Sequence, residues 1–100
     1  MGKITLPEGM QAQRTIVVGS TIRVRWEKEL NIGGLTLRQP LIVVSAGEGK
    51  YSAMKATGLT RGTIDGTFDL PALASPATHI YLFFESVDQR NYSESVCFQI

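Results

Sequence analysis

Apolar and polar residues alternate along much of this chain with a period of two, the period of a β-strand. In "STIRVRWEKE" (20–29), Ile22, Val24 and Trp26 fall on one face and Thr21, Arg23 and Arg25 on the other. That pattern predicts a strand with one buried side. "GTIDGTFDL" (62–70) repeats it, with Ile64, Phe68 and Leu70 opposite Thr63, Asp65, Thr67 and Asp69. Gly66 falls on the apolar side, which predicts a bulge or a close backbone approach. "RTIVV" (14–18) reads as a further strand, closed by Gly19-Ser20. Two segments break the alternation by being apolar on both faces. One is "LIVVSA" (41–46), the other "HIYLFFESVD" (79–88), where Ile80, Leu82 and Phe84 point one way and Tyr81 and Phe83 the other. "GEGK" (47–50) and "DQRN" (88–91) are turn signals, and "YSESVCFQI" supplies the last strand.

No segment carries apolar residues at i, i+3, i+4 and i+7 over three turns. "LPALASP" (70–76) has room for one helical turn before Pro76 stops it. The longest connection is "EKELNIGGLTLRQP" (27–40), whose adjacent glycines make it the expected mobile loop. Short strands with turn signals roughly every 8–12 residues predict an all-β sandwich or barrel. The core expected from the alternation is Ile22, Val24, Trp26, Ile64, Phe68, Leu70, Ile80, Leu82 and Phe84. Trp26 shares its face with Ile22 and Val24, so it is expected between the sheets with Val24, Phe68 and Leu82. If the strands holding them are antiparallel neighbours, Arg23 and Arg25 form a charge ladder with Asp65 and Asp69 on an outer face.

At 100 residues the chain has the length of one domain with its own core, expected over 1–100 with residues 1–13 as an extended arm. With 43% hydrophobic and 19% charged residues it is globular in composition. The net charge of +1 supplies no field for nucleic acid or an anionic membrane. No apolar run approaches the roughly 20 residues that span a bilayer. The start, "MGKITLPEGMQ", has no apolar h-region, and Leu6 stands where myristoylation needs Ser or Thr. The expectation is synthesis in the cytoplasm without a signal peptide. Cys97 is the only cysteine, so no internal disulfide forms.

Catalytic and metal chemistry finds little to work with. "GEGK" lacks the spacing of a phosphate loop, and Tyr51 follows its Lys where Ser or Thr is needed, so a hairpin turn is expected. His79 has no second His or Cys at ligand spacing and reads as a strand-start residue. Asp65, Asp69, Asp88 and Glu85 lack the loop that brings several oxygens onto one calcium ion. Asp65 and Asp69 lie on one strand face about 13 Å apart, too far for paired-carboxylate hydrolysis. A Ser-His-Asp triad has only His79 as base and no nucleophile elbow. "NYS" (91–93) matches a glycosylation acceptor but sits in a hairpin turn. Cys97 is expected to face away from the core, with no basic neighbour to activate it. These readings predict no enzyme, no cofactor and no metal.

Two resemblances add to the residue reading. The Trp ending "TIRVRW" and the run "LPALASPATHIYLFF", followed by a tight turn and "SESV", resemble the fibronectin type III and immunoglobulin-like sandwiches. In those a core Trp sits on strand B, a Leu-Pro corner leads into strand F, and a Ser-rich strand G follows. The place of the corner Tyr holds Ile80 here, and Tyr81 comes one residue later. The implied fold is an antiparallel immunoglobulin-like sandwich of about seven strands. "LPEGMQ…GSTIRVRWE", "ATGLTRGTIDGTFDLPA" and "IYLFFESVDQRNYSESV" further resemble the C-terminal domain of an uncharacterised family common in Bacteroidota and associated phages. The shared features are Trp26 ending its strand, Arg61 to Pro71, and Tyr81 to Val96. Members of that family also carry an N-terminal domain with a Gly-rich opening, so the resemblance implies a stand-alone C-terminal sandwich. It imports no catalytic residue.

The expected role is therefore a non-catalytic structural or assembly module, such as a phage virion accessory or capsid decoration protein. Its partner would be protein, either another copy or a larger scaffold, with no nucleic acid and no membrane. The expected interface is an outer-face patch of Tyr81 and Phe83 with Leu41 and Val43, or with Ile42 and Val44 if the neighbouring strand has the other parity. One alternative is that residues 1–13 cover that face with Ile4, Leu6 and Met10. Another is a surface module that binds glycans weakly, with Tyr51, Tyr81 or Tyr92 as stacking platforms; against it, the only Trp falls on the core face.

Overall fold

The alternating segments become strands, and the computed structural model describes residues 4–16 and 19–100. In chain order the elements are β1 (Gln11–Arg14), β2 (Thr21–Arg25), α1 (Gly34–Leu37), β3 (Pro40–Gly47), β4 (Lys50–Tyr51), β5 (Lys55–Thr60), β6 (Asp65–Asp69), β7 (His79–Phe84) and β8 (Val96–Gln99). One sheet has the order β1-β2-β6, the other β4-β3-β7-β8 with β5 also paired to β3. Every pairing is antiparallel. The two sheets pack face to face as an all-β sandwich. It has eight strands instead of about seven because "YSAMKATGLT" divides into β4 and β5.

The inner faces supply the core. Ile22, Val24 and Trp26 come from β2 and its end, Phe68 from β6, Leu41 and Val43 from β3, and Ile80, Leu82 and Phe84 from β7. Trp26 is 5% exposed and meets Phe84 edge-on at 5.6 Å between ring centroids. Its indole N–H donates to the Arg61 carbonyl at 3.1 Å, so its polar edge is satisfied inside the sandwich. Ile64 and Leu70 lie at the margin of this core, packed against it but only partly buried. Ile64 precedes β6 instead of belonging to it, with φ at 57°. A β-branched residue there costs on the order of 1–3 kcal/mol. The surrounding bonds hold it: the Ile64 carbonyl accepts from Trp26 N–H at 2.9 Å.

Three boundaries differ from the sequence pattern. The first strand is Gln11–Arg14 and not 14–18; Thr15 and Ile16 form a bend, and Val17 and Val18 lie outside the described residues. The 27–40 connection carries a single helical turn, α1, which buries none of its residues; Leu30 and Leu35 stand exposed there. Gly66 makes no bulge, since it pairs in register with Val24; a methyl group on it would come within 2.9 Å of Leu59 Cδ2, so the close approach is by a side chain.

"GEGK" is a hairpin turn between β3 and β4, with Glu48 at φ 52° and Gly49 at φ 74°. Two successive positive φ values are the geometry that lets a two-residue loop follow the strand twist. "DQRN" also turns, held by Ser86: its hydroxyl donates to Asp88 Oδ1 at 2.5 Å and accepts from the Arg90 and Asn91 N–H groups. The hydroxyl bond, followed by the Arg90 N–H, lowers the Asp88 pKa below the ordinary carboxylate value. Among the described residues no helix is long and apolar enough to cross a membrane.

The N-terminal segment serves the core. Ile4, Leu6, Met10 and Ala12 pack against the inter-sheet cluster, and β1 pairs with β2. From residue 4 onward, then, the arm does not supply the cover for the outer face of the second sheet. The charge ladder is also smaller than the alternation predicts. Arg23 makes a two-bond ion pair with Asp65, at 3.0 and 2.7 Å, but Arg25 reaches Gln11 and Asp69 accepts from Thr21. The register explains this: Asp69 stands opposite Thr21, at the far end of β2 from Arg25.

Candidate functional site: the outer face of the second sheet

The parity of β3 decides what this face contains. Leu41 pairs with Phe84 and Val43 with Leu82, all pointing inward, whereas Ile42 pairs with Phe83 and Val44 with Tyr81. Leu41 and Val43 are fully buried core residues, so their expected place at the interface is incorrect. Ile42 and Val44 hold those positions. "LIVV" is apolar at every position and carries no parity of its own; hydrogen-bond register with β7 supplies it.

Tyr81 and Phe83 do lie on the outer face, each partly exposed. The fold brings two further aromatics to them. Tyr51, on β4 opposite Ala46, leans toward Tyr81 with ring centroids 6.2 Å apart and planes at 47°. Tyr92, after the "DQRN" turn, meets Phe83 edge-on at 5.6 Å. Met54 completes a shallow groove with Phe83, Tyr92, Ser93 and Ser95. Exposure decides the character of this surface: Tyr51 is 66%, Met54 58% and Tyr92 49% accessible. Ile42 is buried beneath it, between Phe83 and Ala56 in the sheet. Four aromatic rings and a thioether thus form one apolar strip, of the kind that soluble monomers seldom leave uncovered beyond a few hundred Å².

The polar groups around the strip are ordered. Tyr92 lies against Glu85 across an isolated bridge, and hydrogen bonding to that carboxylate, with its charge, raises the phenol pKa above the ordinary value. Ser93 Oγ accepts from Phe84 N–H at 2.9 Å and donates to the Glu94 carbonyl at 2.8 Å, which fixes the start of the last segment. Cys97 pairs with Tyr81 across the strands and is exposed, as its alternation predicts. Hydrogen bonding and charge interaction with Cys97, then the charge of Tyr51, raise the Tyr81 pKa. Tyr81 points outward and Ile80 inward, so Tyr81 does not occupy a core-facing corner.

Of the residues expected here, Tyr51, Tyr81, Phe83 and Tyr92 converge on one surface. His79 borders it, with its ring nitrogen 2.9 Å from the Thr78 hydroxyl. Met54 escapes sequence reading because "YSAMKA" has no usable alternation.

A second cluster was also hidden in the sequence. Arg61 is only 3% exposed, a rare place for a guanidinium. Its Nε and Nη2 donate to the two Glu29 oxygens at 2.6 and 2.9 Å, and Nη1 donates to the Thr5 carbonyl and Gln39 Oε1 at 2.5 and 3.1 Å. The guanidinium stands 5.1 Å from the Phe84 ring centre. This network ties the N-terminal segment, the 27–39 connection and the core into one end of the sandwich. No family model, curated protein or solved structure matches the chain.

Proposed function

We propose that this chain is a non-catalytic assembly module that contacts a protein partner through the outer aromatic face of its second sheet. The observation carrying this reading is the gathering of Tyr51, Tyr81, Phe83, Tyr92 and Met54, from separate parts of the chain, into one exposed strip. Rings packed against one another lose little entropy on binding, and exposed aromatics of this kind anchor protein interfaces. The immunoglobulin-like reading belongs to the same proposal, supported by the strand orders β1-β2-β6 and β4-β3-β7-β8 and by the buried Trp at the end of β2. So does the resemblance to the phage-associated family, from which we take the role of virion accessory or decoration domain.

The experiment is coexpression with the products of neighbouring genes, read by light scattering, comparing wild type with Phe83→Lys. Loss of association in a folded variant supports the reading. Retention of every wild-type association by that variant refutes it. A second reading, glycan binding, draws on the same tyrosines, and specific retention on a glycan array that is lost with Tyr51→Ala and Tyr92→Ala would favour it.

A further inference from the structure

A strand at a sheet edge exposes a row of unpaired N–H and C=O groups, and proteins usually guard such edges with charge, proline or irregularity. Most edges here are guarded in that way. β1 ends in Arg14, β4 begins with Lys50, and β6 begins and ends with Asp65 and Asp69. β5 begins with Lys55, contains Gly58 at φ 85°, and lies where the register to β3 shifts. β8 carries none of these features; β1 of the facing sheet approaches it near Phe98 but forms no ladder with it. Its residues are Val96, Cys97, Phe98 and Gln99, all uncharged and in unbroken register with β7. Among the described residues its backbone pairs with β7 alone, and the flanking N–H groups of Ser93 and Ile100 donate toward the same side, to Phe84 and Thr78.

We propose that β8 pairs antiparallel with β8 of a second copy of this chain, about a two-fold axis at Cys97. The strand is complementary to itself in that register. Val96 faces the second copy's Phe98 twice on the core side, an aromatic and β-branched pairing that stabilises sheets. Ser95 faces Gln99 twice on the outer side, and Cys97 faces its own equivalent. Residues 95–100 have uncharged side chains, so self-pairing sets no like-charged side chains against each other, and the Glu94 side chain falls opposite that of Ile100. The same operation on β6 would set Asp65 against Asp69 twice, a repulsive arrangement. Joining the two β8 strands makes one continuous sheet across the axis and extends the outer face from Tyr81 and Cys97 into the second copy. The edge adjoins the aromatic strip, with Ser95 beside Phe83 and Cys97 beside Tyr81, and substitutions at Cys97 and at Phe83 separate the two surfaces.

Sedimentation velocity over a concentration series tests the pairing. Wild type is expected to dimerise as concentration rises. In the dimer, diamide should link Cys97 to Cys97, accepting the two thiol hydrogens as the S–S bond forms. Cys97→Ser should keep the dimer without the link. Cys97→Lys, which sets two ammonium groups against each other on the axis, should lose it, whereas Phe83→Lys should keep it. Hydrogen exchange on the unmodified protein supplies a measurement independent of any variant: the Cys97 and Gln99 amides, which point away from β7, should slow as dimer forms. A chain that stays monomeric at every concentration overturns the proposal, as does a dimer without the diamide link or one unaffected by Cys97→Lys. A dimer lost only with Phe83→Lys would place the contact on the aromatic face and overturn the edge pairing.

Discussion

Replacing Arg61 with Met keeps most of the side chain's length but removes the guanidinium at one end of the sandwich. Five acceptors then lose a donor: both Glu29 oxygens, the Thr5 carbonyl and hydroxyl, and Gln39 Oε1. Taking one partner from a buried ion pair costs about 3–5 kcal/mol, chiefly because the remaining charge is left without compensation. The Glu29 side chain is 23% exposed and retains some hydration, while the side chain of Arg61 is 2% exposed, so the two single variants are unequal. Arg61→Met, which leaves a partly hydrated carboxylate behind an apolar stem, should cost about 3 kcal/mol. Glu29→Gln leaves the more deeply buried cation and should cost about 4 kcal/mol. In the double variant Arg61→Met with Glu29→Gln no charge remains unpaired, so the losses should fall short of additive by about 1–3 kcal/mol. Urea melts followed by the fluorescence of buried Trp26 measure all three, with unchanged slopes showing that the transition stays two-state. Additive losses, or single losses below about 1 kcal/mol, would show that the contacts around Arg61 contribute little and refute the reasoning.

Three further outcomes are expected. Trp26→Ala should destabilise by about 3–5 kcal/mol in urea melts followed by far-UV circular dichroism, since it empties the space against Phe84 and frees the Arg61 carbonyl. Ser45→Ala should cost about 1–2 kcal/mol, because the fully buried Ser45 hydroxyl donates to the Pro71 carbonyl, and methyl replacement leaves that acceptor unpaired. Asp65 and Asp88 both have carboxyl pKa values held below their unfolded ones, by the Arg23 hydrogen bond first and by Ser86 first, respectively. Their stabilisation is present above the unfolded value, near 3.9, and is lost as pH falls through the lower folded values. Acid titration of stability should therefore show a shallower decline in Asp65→Asn, and high salt should weaken the Arg23 contribution in wild type.

The alternation in "TIRVRW" and "GTFDL" determined two strands and their buried faces, because a period of two with one polar side has a single consistent orientation in a half-buried sheet. The placement of Trp26 between the sheets followed from the same pattern, and so did the exposure of Cys97. "GEGK" announced its hairpin through residues that accept positive φ. Where a segment is apolar at every position the sequence carries no such information, and "LIVV" shows the consequence: only register with β7 turned Leu41 and Val43 inward. The aromatic strip is likewise a tertiary product. Tyr51 is distant along the chain from Phe83 and Tyr92, and the β3–β4 hairpin and the β7–β8 turn bring the three onto one face. Nothing in the sequence around Arg61 marks it for burial. Its burial depends on Thr5 from the N-terminal segment and Glu29 and Gln39 from the 27–39 connection meeting it together, because a guanidinium leaves water only where several acceptors meet it at once.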